Sequence, residues 1–275
     1  MPSPYNTSAY RYPNELLILA LTILLVTLVI AFTATATLCT SVVFIAAILL
    51  LAYSASRSRH QTLMQQAAQV NSTSAPALHQ LFQQCQARLQ PGNVQAFVVP
   101  SKTLNAYTFG LDDPKVVVLY SALLKVMDEG ELRFIIGHEM GHVRLGHTRL
   151  NSFVGGMAGI PSASTASAVL TLAFLWWNRA CEYSADRAGL LACGKPEKAI
   201  TALIKLVAGP QGLTRRGMEL AYRQIDAQDD TFLGSLGEVM GTHPMIIKRI
   251  EEIRRYAASA DYQRLLARLA QNERA

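Results

Sequence analysis

From Leu16 to Tyr53 the chain runs for 38 residues without a charged side chain, rich in Leu, Ile, Val and Ala. A soluble domain can hide such a run only against a comparably large apolar surface, which the remaining sequence hardly supplies. As one helix it would be about 57 Å long at 1.5 Å per residue, nearly twice the ~30 Å hydrocarbon thickness of a bilayer. The Thr/Ser-rich middle, Thr33 to Ser41, divides it. The pattern therefore predicts two helices of roughly 17 residues, turned at Thr33 to Thr37, as a transmembrane hairpin. Arg11 precedes the run, and Arg57, Arg59 and His60 follow it. Positive charge on both flanks predicts that both ends face the cytoplasm, at the cell membrane or, in a bacterium, the inner membrane. Two other readings stand beside this one. Ala34-Thr35-Ala36 imitates the small-residue cleavage site of a secretory signal, and the hairpin of a soluble core would give the same apolar run.

Composition narrows the partners. Hydrophobic residues make up 51% and charged residues 16%, and no Asp or Glu occurs from residue 16 to 111, which excludes a disordered chain. The net charge of +6 suits an anionic lipid surface beside an apolar segment, so the bilayer is an expected partner. Nothing resembling a nucleic-acid module accompanies it, and no nucleic-acid partner is expected. Cys39, Cys85, Cys181 and Cys193 form no CxxC pair and read as reduced thiols.

The expected organisation is a tail over residues 1–15, the hairpin over 16–55, a polar connector over 56–75, a folded domain over 76–260 and a helical basic tail over 261–275. Leu78, Leu81, Phe82, Cys85 and Leu89 recur at helical spacing until Pro91-Gly92 ends the pattern. Gln95–Val99 and Lys115–Tyr120, with Asn105–Gly110 between them, read as a small antiparallel sheet. Asp128 and Glu131 have capping-box spacing and open another helix. The expected fold is thus mainly α with a small antiparallel β-sheet, preceded by the transmembrane hairpin.

That helix carries His138-Glu139-Met140-Gly141-His142. Four residues advance about 400° around a helix, so the two histidines share a face one turn apart and can grip one metal ion. Glu139 lies beside them, placed to take a proton from a water rather than to ligate. A catalytic zinc wants a third protein ligand and an open position. His147, nine residues after His138, falls about 180° round a continued helix. Positions 145 and 148 are Leu and Thr, which excludes the metzincin pattern. Glu182 and Asp186, four apart on a later helix spanning Ala168–Cys193, offer a ligand and its supporting partner. Their alternative is a solvated face paired with Arg179 and Arg187.

Several separate elements together resemble the HtpX-like and CAAX-prenyl-protease-like integral-membrane metallopeptidases, metallopeptidase family 48. They are Asn105-Ala106-Tyr107 with Gly110, the run Val116–Leu124, His138–His142, Glu182–Arg187, and Thr242-His243-Pro244 followed by Arg249. The resemblance implies a zincin-like domain of glutamate-zincin type. It implies one Zn²⁺ per chain on His138, His142 and Glu182, Glu139 as general base, and Asp186 orienting a ligand histidine. It also implies that His243 either holds the oxyanion or fills the open position. Asn105, Ala106 and Tyr107 would form an edge strand that binds an extended peptide. The implied activity is endopeptidase cleavage of misfolded or membrane-associated proteins, in quality control. The rival is a catalytically degenerate, membrane-anchored scaffold that keeps the zinc site.

Residues 150–178 are also uncharged and end in Trp176-Trp177. A single crossing there would put His142 and Glu182 on opposite sides of about 30 Å of hydrocarbon, so the segment is expected to be a shallow loop or an ordinary helix. The tryptophans are expected at the headgroup level, close to the metal.

Overall fold

The computed structural model describes residues 7–36, 40–110, 113–148, 165–208 and 243–272. The uncharged run becomes helix α1 (Glu15–Ala36) and the first half of α2 (Thr40–Met64), and the two touch. Among the described residues one helical segment, Glu15–Thr35, is long and apolar enough to cross a membrane. Leu16, Ile23 and Phe32 are 59%, 55% and 74% exposed, whereas a soluble core helix would bury them. Thr33–Ala36, where the sequence pattern predicts a turn, are still helical in α1; Thr37 lies outside the described residues.

The sheet corrects the antiparallel expectation. Strands β1 (Ala68–Gln69), β2 (Val94–Val99), β3 (Ala106–Phe109) and β4 (Lys115–Tyr120) lie in the order β1-β2-β4-β3. The two central strands, β2 and β4, run parallel, with Val94 opposite Lys115 and Val99 opposite Tyr120. The outer pairs are antiparallel. Residue pattern marks a strand but not its direction. Here β3 occupies the far edge and turns back, so β4 enters beside β2 in the same sense. The sheet is mixed, and among the described residues β3 is an edge strand.

Helix α3 (Pro76–Leu89) buries Leu81, Phe82, Cys85 and Leu89, the predicted stripe. After the short α4 (Ser121–Val126), α5 (Glu129–Leu145) starts on a complete capping box, Asp128 accepting from the Glu131 amide and Glu131 from the Asp128 amide. It packs along α6 (Thr165–Cys193), which is followed by α7 (Pro196–Ala208), α8 (His243–Ala257) and α9 (Ala260–Asn272). The α5–α6 contact is very close. A Cβ on Gly137 would lie 2.4 Å from the Ala192 Cβ, and one on Gly141 2.6 Å from the Ala188 Cβ. Small residues at these facing positions bring two helix backbones together, and with them the side chains of one metal-binding face.

The N-terminal tail is part of the domain's packing. Tyr10 is buried in the main core, the Tyr256 hydroxyl donates to the Ala9 carbonyl (3.2 Å) and Arg187 donates to the Arg11 carbonyl (3.2 Å). The first turns of α1 lie against α6, where Ile18 packs with Trp177, Ala180 and Cys181. Trp177 is therefore buried, while Trp176 is 48% exposed. Of the uncharged segment 150–178, residues 150–164, including Gly155, Gly156, Gly159, Pro161 and Ser162, lie outside the described residues. From Thr165 onward it is α6.

Candidate active site

His138 and His142 lie one turn apart on α5 and turn their Nε2 atoms to the same point, 3.1 Å apart. Glu182, delivered by α6, brings Oε2 to 3.5 Å from His138 Nε2 and Oε1 to 3.3 Å from His142 Nε2. Three ligands at zinc's 2.0–2.1 Å in a tetrahedron stand about 3.3 Å from one another. The donor atoms thus have the spacing of a metal site, and His138, His142 and Glu182 could hold an ion. Both histidines are buried, whereas the Glu182 side chain is 22% exposed, so the site reaches solvent along Glu182.

The outward Nδ1 atoms are held as well. His138 Nδ1 lies 2.9 Å from Asp186 Oδ1, as a metal-ligating histidine needs if its ring is to be fixed. Asp186 in turn receives two bonds from Arg249 on α8, at 2.7 Å from Nε and 2.6 Å from Nη2. Arg249 Nη1 also lies 3.0 Å from Glu182 Oε2. Burial alone would raise the Asp186 carboxyl, but the Arg249 charge and its hydrogen bonds hold it below the usual range. The same contest, burial against Arg249 and His142, leaves Glu182 well below it. Arg249 is raised despite its burial, because Asp186 and Glu182 surround it. Glu139 goes the other way: burial pushes its carboxyl up, against the opposing pull of His138 and His142.

His142 has a different support, one that the sequence reading placed wrongly. A continued helix would turn His147 away from the metal face. Instead α5 stops at Leu145, Gly146 takes a left-handed conformation (φ 84°), and the chain folds back. His147 Nδ1 then lies 3.1 Å from His142 Nδ1, and His147 Nε2 lies 3.1 Å from Glu15 Oε1 at the start of α1. The glycine after the last apolar residue was the available signal for that stop. Arg187, expected beside Glu182 and Asp186 in the solvated-face alternative, pairs instead with Glu252 (3.7 Å) and lies over the Tyr12 and Tyr256 rings. Arg249 takes the place it was given there.

Asn105, Ala106 and Tyr107 stand at the β3 edge of the sheet as described, and not among His138, His142 and Glu182. The Asn105 carbonyl accepts from the Tyr120 amide (3.0 Å), and the Tyr107 hydroxyl lies 3.3 Å from His60 Nδ1. Strand β3 does pack against α5, with Thr108 and Thr148 hydroxyls 3.2 Å apart. Thr242 and the His243 side chain lie outside the described residues; the His243 backbone opens α8.

Residues 65–257 match the model of Peptidase family M48. The chain is similar to the plastoglobule-localized metallopeptidase 48 of Arabidopsis thaliana chloroplasts, at 28% identity over 64% of this chain and 56% of the relative. It therefore spans little more than half of that protein's length. It is also similar to the protease HtpX homologue of Ralstonia pickettii, at 24% identity over 72% of this chain and 80% of the relative. For the protease HtpX homologue of Pseudarthrobacter chlorophenolicus the identity is 26%, over 70% and 76%. The matched region contains α5, α6 and α8, which carry the two histidines, Glu182, Asp186 and Arg249, and on both grounds the chain belongs to Peptidase family M48 as an HtpX-like metallopeptidase.

Proposed function

We propose that this protein is a membrane-anchored, zinc-dependent endopeptidase that cleaves misfolded or membrane-associated proteins. The observation that carries this reading is the convergence of three donors, His138 Nε2, His142 Nε2 and a Glu182 carboxylate oxygen, at mutual distances of 3.1–3.5 Å. Two imidazoles and one carboxylate are a donor set that suits zinc and leaves a fourth position open. When bound, the ion supplies Lewis acidity to a water and to the scissile carbonyl.

The remaining work falls to the chain's own side chains. Glu139, buried beside the two histidines, takes a proton from the attacking water and passes it to the leaving amine. Asp186 orients the His138 ring through Nδ1. His243, at the start of α8, holds the developing oxyanion or occupies the open position at rest. The edge strand β3, with Asn105, Ala106 and Tyr107, receives an extended peptide as an added strand.

Residues 16–55, the apolar part of α1 and the uncharged start of α2, form a hairpin anchor, with residues 1–15 and the segment from 56 onward cytoplasmic. Residues 56–75 connect it to a peptidase domain over 76–260, and 261–275 form a terminal tail. The exposed apolar side chains of α1 and the packing of its root on the helix that carries Glu182 support a site close to the bilayer surface.

The test is cleavage of an unfolded, casein-like substrate by the detergent-solubilised full chain. Cleavage should stop on chelation and return with added zinc. Glu139→Gln should keep the metal and lose at least about 10²-fold in rate, the lower end for a general base. A zinc-loaded chain that cleaves nothing would favour the degenerate scaffold instead, and undiminished cleavage by Glu139→Gln would remove Glu139 from its role.

A further inference from the structure

The first charged residue of α1 is buried in the peptidase domain. Glu15 is 2% exposed and has three partners from three places: Arg11 one turn before it, the Ser184 hydroxyl on α6, and His147 Nε2 at 3.1 Å. Ser184 in turn accepts from the Tyr12 amide at 2.7 Å. A buried carboxylate is costly unless its oxygens are occupied by donors. Here they are, and one of the donors leads to the metal site.

The direction of the hydrogen bonds follows from ligation. His142 must offer its Nε2 lone pair to a metal, so its proton sits on Nδ1. That proton can go only to an acceptor, and the atom 3.1 Å away is His147 Nδ1. His147 must then carry its own proton on Nε2, which points at Glu15 Oε1, 3.1 Å away. This chain of bonds requires a neutral His147 ring with one donor and one acceptor nitrogen. A carboxylate at its end is what fixes the tautomer of both rings.

We infer that Glu15 and His147 are positioning residues for the metal ligand His142, so that the root of the apolar helix α1 is a structural part of the metal centre. The inference rests on the proposed metal set of His138, His142 and Glu182. His138 has its carboxylate, Asp186, in direct contact; His142 reaches its carboxylate through one intervening imidazole. The two histidines are thereby tied to different elements, one to α6 and α8, the other to the entry into α1. Displacing the root of α1 disturbs His142 and leaves the Asp186–Arg249 support of His138 intact.

The experiment is zinc affinity, measured by chelator competition on the full chain in detergent, for wild type, His147→Ala, Glu15→Gln and the double variant. His147→Ala should bind zinc about 10–100-fold more weakly, the range for loss of a ligand's hydrogen-bond partner. Glu15→Gln should weaken it less, and should have no further effect when His147 is already Ala, because Glu15 acts through that ring. His147→Asn, which puts a carbonyl where Nδ1 stood, should recover part of the loss. Equal affinity in wild type and His147→Ala would overturn the inference, and so would a Glu15→Gln effect of the same size in both backgrounds. If Glu15→Gln does not fold, the comparison of Ala with Asn at 147 decides, equal loss in both overturning the assignment. A wild-type chain that binds no zinc would instead break the metal reading on which the inference stands, so the two failures are distinguishable.

Discussion

The two proposed ligand histidines are neighbours on one helix, yet their supports differ in construction. His138 is held by Asp186, four residues after Glu182 on α6 and gripped by Arg249 from α8. His142 is held by His147 and Glu15, from just beyond the Gly146 turn that ends α5 and from the start of α1. The first support is built from elements inside the matched family region; the second reaches back to a residue outside it, since that region begins at residue 65. The matched region and the apolar N-terminal helix therefore meet beside the proposed metal site.

Both supports depend on the close approach of α5 to α6, so the largest effect is expected where that approach is blocked. Gly141→Val puts branched bulk where a Cβ already meets the Ala188 Cβ at 2.6 Å and the Ala185 Cα at 3.2 Å. Overpacking of this kind costs about 1–3 kcal/mol or more, and it moves Glu182 away from the histidines. The expected outcome is a lowered melting temperature together with loss of zinc retention on a desalting column.

Asp186→Asn comes next. It removes the charge that balances Arg249 and weakens the hold on His138 Nδ1, with an expected 10–100-fold loss of zinc affinity, as about the same range applies to any ligand's orienting partner. If the two supports are equivalent, its loss matches that of His147→Ala; a clear difference ranks them. Arg249→Lys should have the smallest effect of the three. It keeps the positive charge but not the planar fork that bonds Asp186 through two nitrogens and Glu182 through a third. Zinc affinity should fall less than with Asp186→Asn, and titration with the same chelator reads both.

What was legible in the chain follows the same division. His138, His142, Glu182 and Asp186 were readable because each pair is four residues apart on one helix, and helical spacing translates directly into a shared face. The capping box of Asp128 and Glu131 marked where α5 begins. Strand direction was not readable, because alternation and β-branching are the same in either direction, and the parallel pairing of β2 with β4 emerged only from the placement of β3. His147 was misplaced by extending α5 through Gly146, although glycine in a left-handed conformation is a common helix stop. Glu15 could not have been found at all by spacing. It lies 132 residues from His147, and its position at the edge of an apolar run suggested a flank rather than a buried site residue. Arg249 was recognised within its element, but only packing of α8 on α6 shows that one guanidinium meets both carboxylates.

The proposed metal centre hydrolyses peptide bonds with Glu139 as its base. Its most direct test measures zinc content and casein cleavage together, on wild type and Glu139→Gln purified alike. One zinc per chain is expected in both, with cleavage in the wild type alone. Cleavage by Glu139→Gln at the wild-type rate, or by a wild type stripped of zinc, would contradict it.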